Sequence, residues 1–213
     1  VEGLRAFVNR LSLHGLLPAI EQIVMRLGKE IKSQIGGFFR MTKFMRSAKK
    51  LTAEQKRRGD LLYPFTAVEA QIRRLADIAF MLGDFEMAHE QYEKIRSDFR
   101  QDKSWLHLGG CLEMVGLCRL LNALRDARKG GSSISTSKAK NIQEKLNDAI
   151  SMYQRSDDGG HAFAGTRTRL ITRASLLYTK VCETLGTAYL KDAAGCLVRT
   201  SSAESQLSSA LML

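Results

Sequence analysis

The stretch from Val68 to Ile95, VEAQIRRLADIAFMLGDFEMAHEQYEKI, repeats its apolar residues at intervals of three and four positions. That interval is typical of an α-helix with one buried side. Large and small residues follow the spacing of a tetratricopeptide repeat, in which two antiparallel helices pack through small side chains where they cross. Gly83 and Asp84 suit the turn, because Gly can end one helix and Asp can cap the next. The residues predicted to pack this repeat are Leu75, Ala76, Ala79, Gly83, Phe85, Ala88 and Tyr92.

A second unit of the same kind is predicted to begin at Trp105, where Trp105, Leu108 and Gly109 form a Trp-x2-Leu-Gly pattern. Its first helix continues through EMVGLCRLLNALRDA until RKGGSSISTSK interrupts it. That Gly/Ser-rich run contains neither a Gly-Lys-Ser/Thr phosphate-binding sequence nor a dinucleotide fingerprint, so we expect a loop. Beyond the loop, Ala149 and Tyr153 repeat the Ala-x3-Tyr spacing of a crossing helix.

The composition supports an all-α fold for the whole chain. The 213 residues include only two Pro, and Leu, Ala, Arg, Lys, Glu and Gln outnumber Val, Ile and Thr; the former lose little rotamer freedom in a helix. We predict a tetratricopeptide-like helical-hairpin solenoid preceded by an amphipathic helix. The expected boundaries are an N-terminal basic helical arm over 1–50, a linker over 51–66 and the solenoid over 67–213, as a fragment of a larger protein. An apolar end is expected, because a truncated solenoid leaves its last helix uncovered.

The positive charge of the chain is concentrated in one segment. Of the formal net charge of +11, residues 22–58 account for +9, with eleven Lys/Arg against Glu30 and Glu54. Residues 1–21 carry two basic and two acidic residues, and residues 59–213 are close to neutral. A nucleic-acid-binding domain more often spreads Lys/Arg over a folded face with stacking aromatics. Nucleic acid is therefore not the expected partner.

Within this basic segment, the run IGGFFRMTKFMRSAKK has the pattern of an amphipathic helix. At about 100° per residue, its Phe and Met side chains, Phe39 excepted, gather on one side and most Lys/Arg on the other. Bulky apolar side chains opposite basic ones suit a helix lying on an anionic membrane. The predicted membrane-binding residues are Phe38, Phe39, Arg40, Met41, Lys43, Phe44, Met45, Arg46, Lys49 and Lys50.

The same stripe has a second interpretation, since Phe and Met at helical spacing commonly pack on their own protein or on a partner subunit. Upstream, Ile20, Leu27 and Ile31 adjoin the Phe/Met side, a pattern that is compatible with one long helix through Gly36 and Gly37. The sequence does not decide whether this stripe contacts a membrane, a partner subunit or the core of its own protein.

The polar residues suggest no catalytic or metal site. The four cysteines, Cys111, Cys118, Cys182 and Cys196, form no CxxC pair and lack a His at zinc-ligand spacing, so buried thiols are expected. The four histidines are scattered, without a nucleophile or carboxylate at a recognised spacing. We therefore expect no enzyme and no cofactor. Absence of a signal peptide, a long apolar run and a glycosylation sequon predicts the cytosol.

Four short segments give the chain a family resemblance. They are Ala70 to Asp77 (Ala-Gln-x-Arg-x-Leu-Ala-Asp), Phe85 to Tyr92, Phe99 to Trp105 (Phe-x-x-Asp-Lys-x-Trp) and Glu113 to Gly116. Together with GLLPAIEQIVMRLGKEI upstream, they resemble the large TRAPP III-specific subunit, the subunit-eight family of the transport protein particle. The resemblance covers about 140 residues.

This resemblance implies a non-catalytic scaffold in a complex that acts as a nucleotide-exchange factor for a Rab-family GTPase. It implies vesicle tethering in ER-Golgi traffic, a role in autophagy, and recruitment to Golgi, ER-Golgi or autophagosome-precursor membranes through an amphipathic helix. The implied partners are other subunits of the complex, an anionic or loosely packed membrane and, indirectly, the GTPase. The alternative is a peptide-binding tetratricopeptide adaptor with the basic arm packed on its own solenoid.

Overall fold

A computed structural model describes residues 2–45, 63, 65–131, 133–155 and 164–210, without the side chains of 34–45, 164–165 and 202–210. These residues form helices and turns and include no strand. The α-helices are α1 (Glu2–Leu11), α2 (Leu17–Met45), α3 (Val68–Met81), α4 (Phe85–Gln101), α5 (Trp105–Gly130), α6 (Thr136–Arg155), α7 (Ala164–Leu185) and α8 (Leu190–Ala210). A π-helical segment, Ser12–Leu16, joins α1 to α2, and a 3-10 turn, Thr187–Tyr189, precedes α8. The chain divides into two compact units, residues 1–91 and 92–213.

The first unit is built on a continuous helical rod over residues 2–45. At its π-helical segment the N–H of Leu17 donates to the carbonyl of Ser12, five residues back instead of four. α2 then continues without interruption through Gly36 and Gly37. α2 packs against α3, where Leu27 and Ile31 are buried.

The turn between α3 and α4 has the geometry that Gly83 and Asp84 predict. Gly83 has φ 82°, and the N–H of Asp84 donates to the carbonyl of Ala79 over 2.9 Å, which satisfies one of the last carbonyls of α3. The Asp84 carboxylate accepts from the N–H of Met87 over 3.0 Å and so caps α4. Residue chemistry therefore fixes this turn locally.

The turn between α4 and α5 repeats this geometry with a residue that does not favour it. Ser104 N–H donates to the carbonyl of Phe99 over 2.9 Å, as Asp84 does to Ala79. The position equivalent to Gly83 is Lys103, the one residue other than Gly with a positive φ, 55°, in the described part of the chain. A side chain in this conformation costs roughly 1 kcal/mol, because its Cβ crowds the backbone.

In the second unit each helix packs against the next, α5 on α6, α6 on α7 and α7 on α8. Buried side chains from all four helices form one core: Leu120, Ala123, Ile142, Leu146, Tyr178, Val181, Cys182, Ala193 and Cys196. Packing between consecutive helices is the arrangement of an α-solenoid. The predicted all-α solenoid class is confirmed, whereas its assignment to the tetratricopeptide type stays a prediction.

The predicted boundaries at residues 50 and 66 stay predictions too, because 46–62 and 64 lie outside the described residues. At the other end, α8 leaves Leu190, Leu197 and Val198 exposed while Ala193 and Cys196 are buried. The expectation of an apolar end in a truncated solenoid stays a prediction.

Lys103→Gly is expected to raise the free energy of unfolding by about 0.5–1 kcal/mol, because Gly adopts a positive φ without strain. The matched change Gly83→Ala should lower it by about 1 kcal/mol, since it introduces at the first turn the strain that Lys103 carries at the second. Urea unfolding monitored by circular dichroism measures both. A loss of stability in Lys103→Gly would contradict the assignment of strain to this turn.

Candidate functional site

Two helices of the second unit approach closely where Tyr153 of α6 crosses Gly109 of α5. A Cβ built on Gly109 would lie only 2.6 Å from Cε1 of Tyr153. Any side chain at residue 109 would therefore displace the Tyr153 ring, which is itself buried. Packing explains the Gly of the Trp-x2-Leu-Gly pattern, because the Tyr153 ring lies over Gly109.

A second close approach follows seven residues along both helices. A Cβ on Gly116 would lie 3.0 Å from Cδ2 of Leu146, and Leu146 precedes Tyr153 by the same interval. The residue number rises along α5 as it falls along α6, so the two helices run antiparallel in a fixed register. Two glycines at this spacing let the helix axes approach, and large side chains of α6 fill the space.

The Tyr153 hydroxyl donates to Oε2 of Glu113 over 2.7 Å, one helical turn beyond Gly109. Nη2 of Arg173, from α7, donates to the same oxygen over 2.7 Å. Glu113 is buried, so this carboxylate would be costly to bury without these two donors. Burial opposes the charged form of Arg173, but the Glu113 carboxylate outweighs it and raises the guanidinium pKa. One carboxylate thus joins α5, α6 and α7.

Two further contacts join α5 to the part of α4 that belongs to this unit. Nη2 of Arg119 donates to Glu93 over 3.1 Å, and its Nη1 donates to Asn141 of α6. The Cys111 thiol donates to the backbone carbonyl of Tyr92 over 3.0 Å. α5 is therefore the central helix of the unit, with polar contacts to α4, α6 and α7.

A second polar cluster joins α6, α7 and α8. Nε2 of Gln143 lies 3.4 Å from the Tyr178 hydroxyl, 3.4 Å from Sγ of Cys182 and 3.3 Å from a carboxylate oxygen of Asp192. Nδ2 of Asn147 also donates to the Tyr178 hydroxyl over 3.3 Å. Burial disfavours the phenolate and raises the pKa of Tyr178 to about 12.

All four cysteines are buried free thiols, which confirms the interpretation made from their spacing. Burial raises the pKa of Cys118 to about 12 and raises that of Cys182, so both thiols stay protonated at neutral pH. Among the described residues, no group of three or more His, Cys, Asp and Glu side chains could hold a metal ion. His107 is a satisfied helix residue, because its Nδ1 lies 2.8 Å from the Ser104 hydroxyl.

The ten residues predicted to pack the repeats occupy three kinds of position. Seven are buried: Leu75, Ala76, Ala79, Ala88, Tyr92, Leu108 and Gly109. Phe85 and Trp105 are half-buried near the starts of α4 and α5, and Gly83 is in the turn. Gly109 has its close contact with Tyr153, and Phe85 stacks at a tilt on Phe80 with the ring centroids 5.4 Å apart.

The structure describes the backbone of the predicted membrane-binding residues only as far as Met45. The backbone from Phe38 to Met45 is helical as part of α2, and its side chains lie outside the described structure. Arg46, Lys49 and Lys50 lie outside the described residues altogether. None of the helices described here is both long enough and apolar enough to span a bilayer.

Sequence reasoning assigned no role in packing to Glu113 or Gln143. The signal for Glu113 was present, since it is one acid on the otherwise apolar run between Gly109 and Gly116. Gln143 had no comparable signal, because its three acceptors come from residues 35 to 49 positions later in the chain.

Gly109→Ala should lower the free energy of unfolding by about 1–2 kcal/mol, because the overpacking cost exceeds the gain in helix propensity. The matched control is Gly28→Ala in α2, where a Cβ meets no atom within 4 Å. In this control the free energy of unfolding should rise by about 1 kcal/mol, because Ala has a higher helix propensity than Gly. Urea unfolding of both variants measures the difference, and equal effects would contradict the Tyr153 contact.

The stability difference between the native chain and Tyr178→Phe should shrink as pH rises from 10 to 12. An unfolded tyrosine ionises near pH 10, whereas folded Tyr178 has a pKa of about 12. The unfolded state thus loses its proton first, so the stability from Tyr178 is fully present below pH 10 and is lost above it. Urea unfolding at pH 8 and pH 11 compares the two proteins, and a constant difference would contradict the shift.

Comparison with known proteins relates the chain to one family. A family model described as TRAPPC-Trs85, ER-Golgi trafficking TRAPP I complex 85 kDa subunit, matches residues 1–186. The chain is 32% identical over 127 residues to Trafficking protein particle complex subunit 8 of Homo sapiens, covering 56% of this chain and 9% of that protein. It is 30% identical over 129 residues to Transport protein particle subunit trs85-1 of Schizosaccharomyces pombe, covering 57% of this chain and 19% of that protein.

The chain therefore spans less than a fifth of the length of either relative. No solved structure matches it. The resemblance noted in the sequence is confirmed, because the family model extends over most of the chain from α1 through α7. The chain belongs to the TRAPPC-Trs85 family of transport protein particle subunits.

Proposed function

We propose that the chain is part of a non-catalytic scaffold subunit of a TRAPP III-like vesicle-tethering complex, and that its basic arm helps to recruit that complex to membranes. The observation that carries the proposal is the family match together with the net charge of +9 over residues 22–58, most of which lies in the arm. The names of both curated relatives, which are particle subunits, support the assignment to the complex.

A scaffold role suits the way the second unit is held together. Two of its buried polar groups, Glu113 and Gln143, bind to neighbouring helices over distances of 2.7–3.4 Å. Buried networks whose groups are satisfied fix the relative positions of helices, and a fixed array of helices offers broad surfaces to other subunits. In this proposal nucleotide exchange on the Rab-family GTPase occurs on other subunits, and the GTPase is an indirect partner.

The membrane role depends on the geometry of the arm. α2 is helical through Met45, so the angular positions estimated at about 100° per residue apply to Phe38, Met41, Phe44 and Met45. We infer that these four side chains enter the acyl boundary while Arg40, Lys43, Arg46, Lys49 and Lys50 bind anionic headgroups, with Phe39 at the edge. The proposed locations are Golgi, ER-Golgi and autophagosome-precursor membranes, in secretory traffic and autophagy.

One observation favours the alternative of a peptide-binding adaptor with its arm packed on its own solenoid. Leu27 and Ile31 are buried where α2 packs against α3, so part of this helix already contacts the first repeat. Around an unbroken helix, Phe38 and Met45 project within about 40° of Leu27. In this alternative the apolar stripe continues the packing surface instead of contacting lipid.

The two functions differ in the expected behaviour of the double variant Phe38→Asp with Phe44→Asp. Burying one Phe ring contributes about 1.5–3 kcal/mol, so losing two from a bilayer should weaken binding at least about 100-fold. The measurement is flotation of the chain on anionic and neutral vesicles, with circular dichroism and thermal melting of each protein.

The control is the double variant Phe65→Asp with Met81→Asp, which adds the same charge at side chains 85% and 75% exposed outside the arm. It should float like the native chain. Flotation lost only in the arm variant, with its helicity unchanged, supports membrane binding. If the native chain does not float and the arm variant melts at a lower temperature, the membrane hypothesis is overturned and the stripe packs on its own protein.

A further inference from the structure

α1 carries an apolar side that the first unit leaves exposed. Leu4, Phe7, Val8 and Leu11 follow the i, i+3, i+4, i+7 pattern and lie within about 100° of arc. Their side chains are 48–69% exposed. A short helix with four large apolar residues open on one side is typical of a surface that binds another molecule. We call these four residues the α1 face.

The π-helical segment determines where the α1 face lies on the rod. One extra residue in a helix turns everything beyond it back by about 100°. The α1 face therefore lies roughly 60° around the rod from the side formed by Ile20, Ile23, Leu27 and Ile31. In an unbroken α-helix, the angle between the two would be roughly 155°, on nearly opposite sides of the rod.

The α1 face thus continues a surface that already binds a helix. α3 packs against this section of the rod, where Gln71 donates to the Glu30 carboxylate over 3.1 Å and the neighbouring Leu27 and Ile31 are buried. α3 has 14 residues and is about 21 Å long. This length is less than the distance along the rod from Leu27 to Leu11, which is about 24 Å. One surface therefore has a covered section at α3 and an open section at α1, and the covered section contains a helix.

The charges beside the α1 face indicate what kind of helix would fit. Arg5 and Arg10 are exposed and lie about 110° to either side of the centre of the face, while Glu2 points away from it. A second copy in antiparallel contact would place the two Arg5 side chains along one edge of the contact and the two Arg10 side chains along the other, which is repulsive. Residues 1–21 have no net charge, so long-range attraction to anionic lipid is weak here, whereas Arg5 and Arg10 can each pair locally with an acidic side chain of a docked helix.

We propose that the α1 face is a docking surface for an amphipathic α-helix of a partner protein, with apolar residues in the centre and acidic residues along both edges. The partner helix lies on the rod beside the section that α3 covers. Its apolar side buries the α1 face, and its acidic edges pair with Arg5 and Arg10. This inference does not rest on the proposed membrane role of the arm.

The test uses the whole 213-residue chain and two designed helical peptides of about 21 residues, long enough to be helical alone. Both peptides carry Leu at i, i+3, i+4 and i+7 in an Ala background. One has Glu and the other has Lys along the edges of the Leu stripe. Fluorescence anisotropy should show the Glu peptide binding about fivefold more tightly than the Lys peptide, with the difference decreasing at high salt.

Three variants test the surface. Phe7→Asp with Leu11→Asp should weaken binding of the Glu peptide by at least about tenfold, because the contact is apolar. Met25→Asp is the matched control, since Met25 is 59% exposed, like Phe7 at 62%, but lies on the opposite side of the rod. It should change binding less than about twofold. Arg5→Glu with Arg10→Glu should reverse the preference to the Lys peptide.

Four results would overturn the proposal. The first is failure of the Glu peptide to bind. The second is a lower melting temperature in the Phe7 and Leu11 variant alone, because it would mean that this chain covers the α1 face itself. A dimer in sedimentation equilibrium that this variant abolishes would assign the face to a second copy. Flotation on phosphatidylserine vesicles that depends on Phe7 and Leu11 but not on Phe38 would assign it to lipid.

Discussion

A single buried carboxylate determines much of the arrangement in the second unit. Glu113 accepts hydrogen bonds from Tyr153 and Arg173 at 2.7 Å each, and these donors belong to two different helices. Because a buried charge without partners costs several kcal/mol, α6 and α7 cannot move away from α5 independently. The ring of the same Tyr153 lies against Gly109, so one side chain makes both the polar contact and the close helix approach.

The first unit depends instead on the phase of one long helix. Residues 2–45 form a rod whose apolar side would drift away from its packing partner if the α-helical repeat were unbroken. The π-helical segment between α1 and α2 absorbs one residue and brings two apolar sections to adjoining sides. One section packs on α3, and the other carries the exposed Leu4, Phe7, Val8 and Leu11. The rod therefore offers surfaces for contacts of different kinds along its length.

Much of the fold was predictable because its signals are local. The period of apolar residues predicts the helices, and Gly83 with Asp84 predicts the first turn, because one favours positive φ and the other accepts a hydrogen bond from the next helix. The second turn was not predictable, since nothing in the local sequence favours a positive φ at Lys103. For the candidate site, the sequence indicates an amphipathic arm but does not distinguish lipid from protein as its contact.

The sequence by itself determined the helical class, the concentration of charge in residues 22–58 and the positions of small residues such as Gly109. Composition and spacing carry these properties without reference to distant parts of the chain. Only the tertiary structure decided that Tyr153 covers Gly109, that Arg173 reaches Glu113 and that Gln143 lies beside Asp192. These pairings join residues 40 to 60 positions apart, and they form because antiparallel packing brings helices into register, which no local pattern specifies.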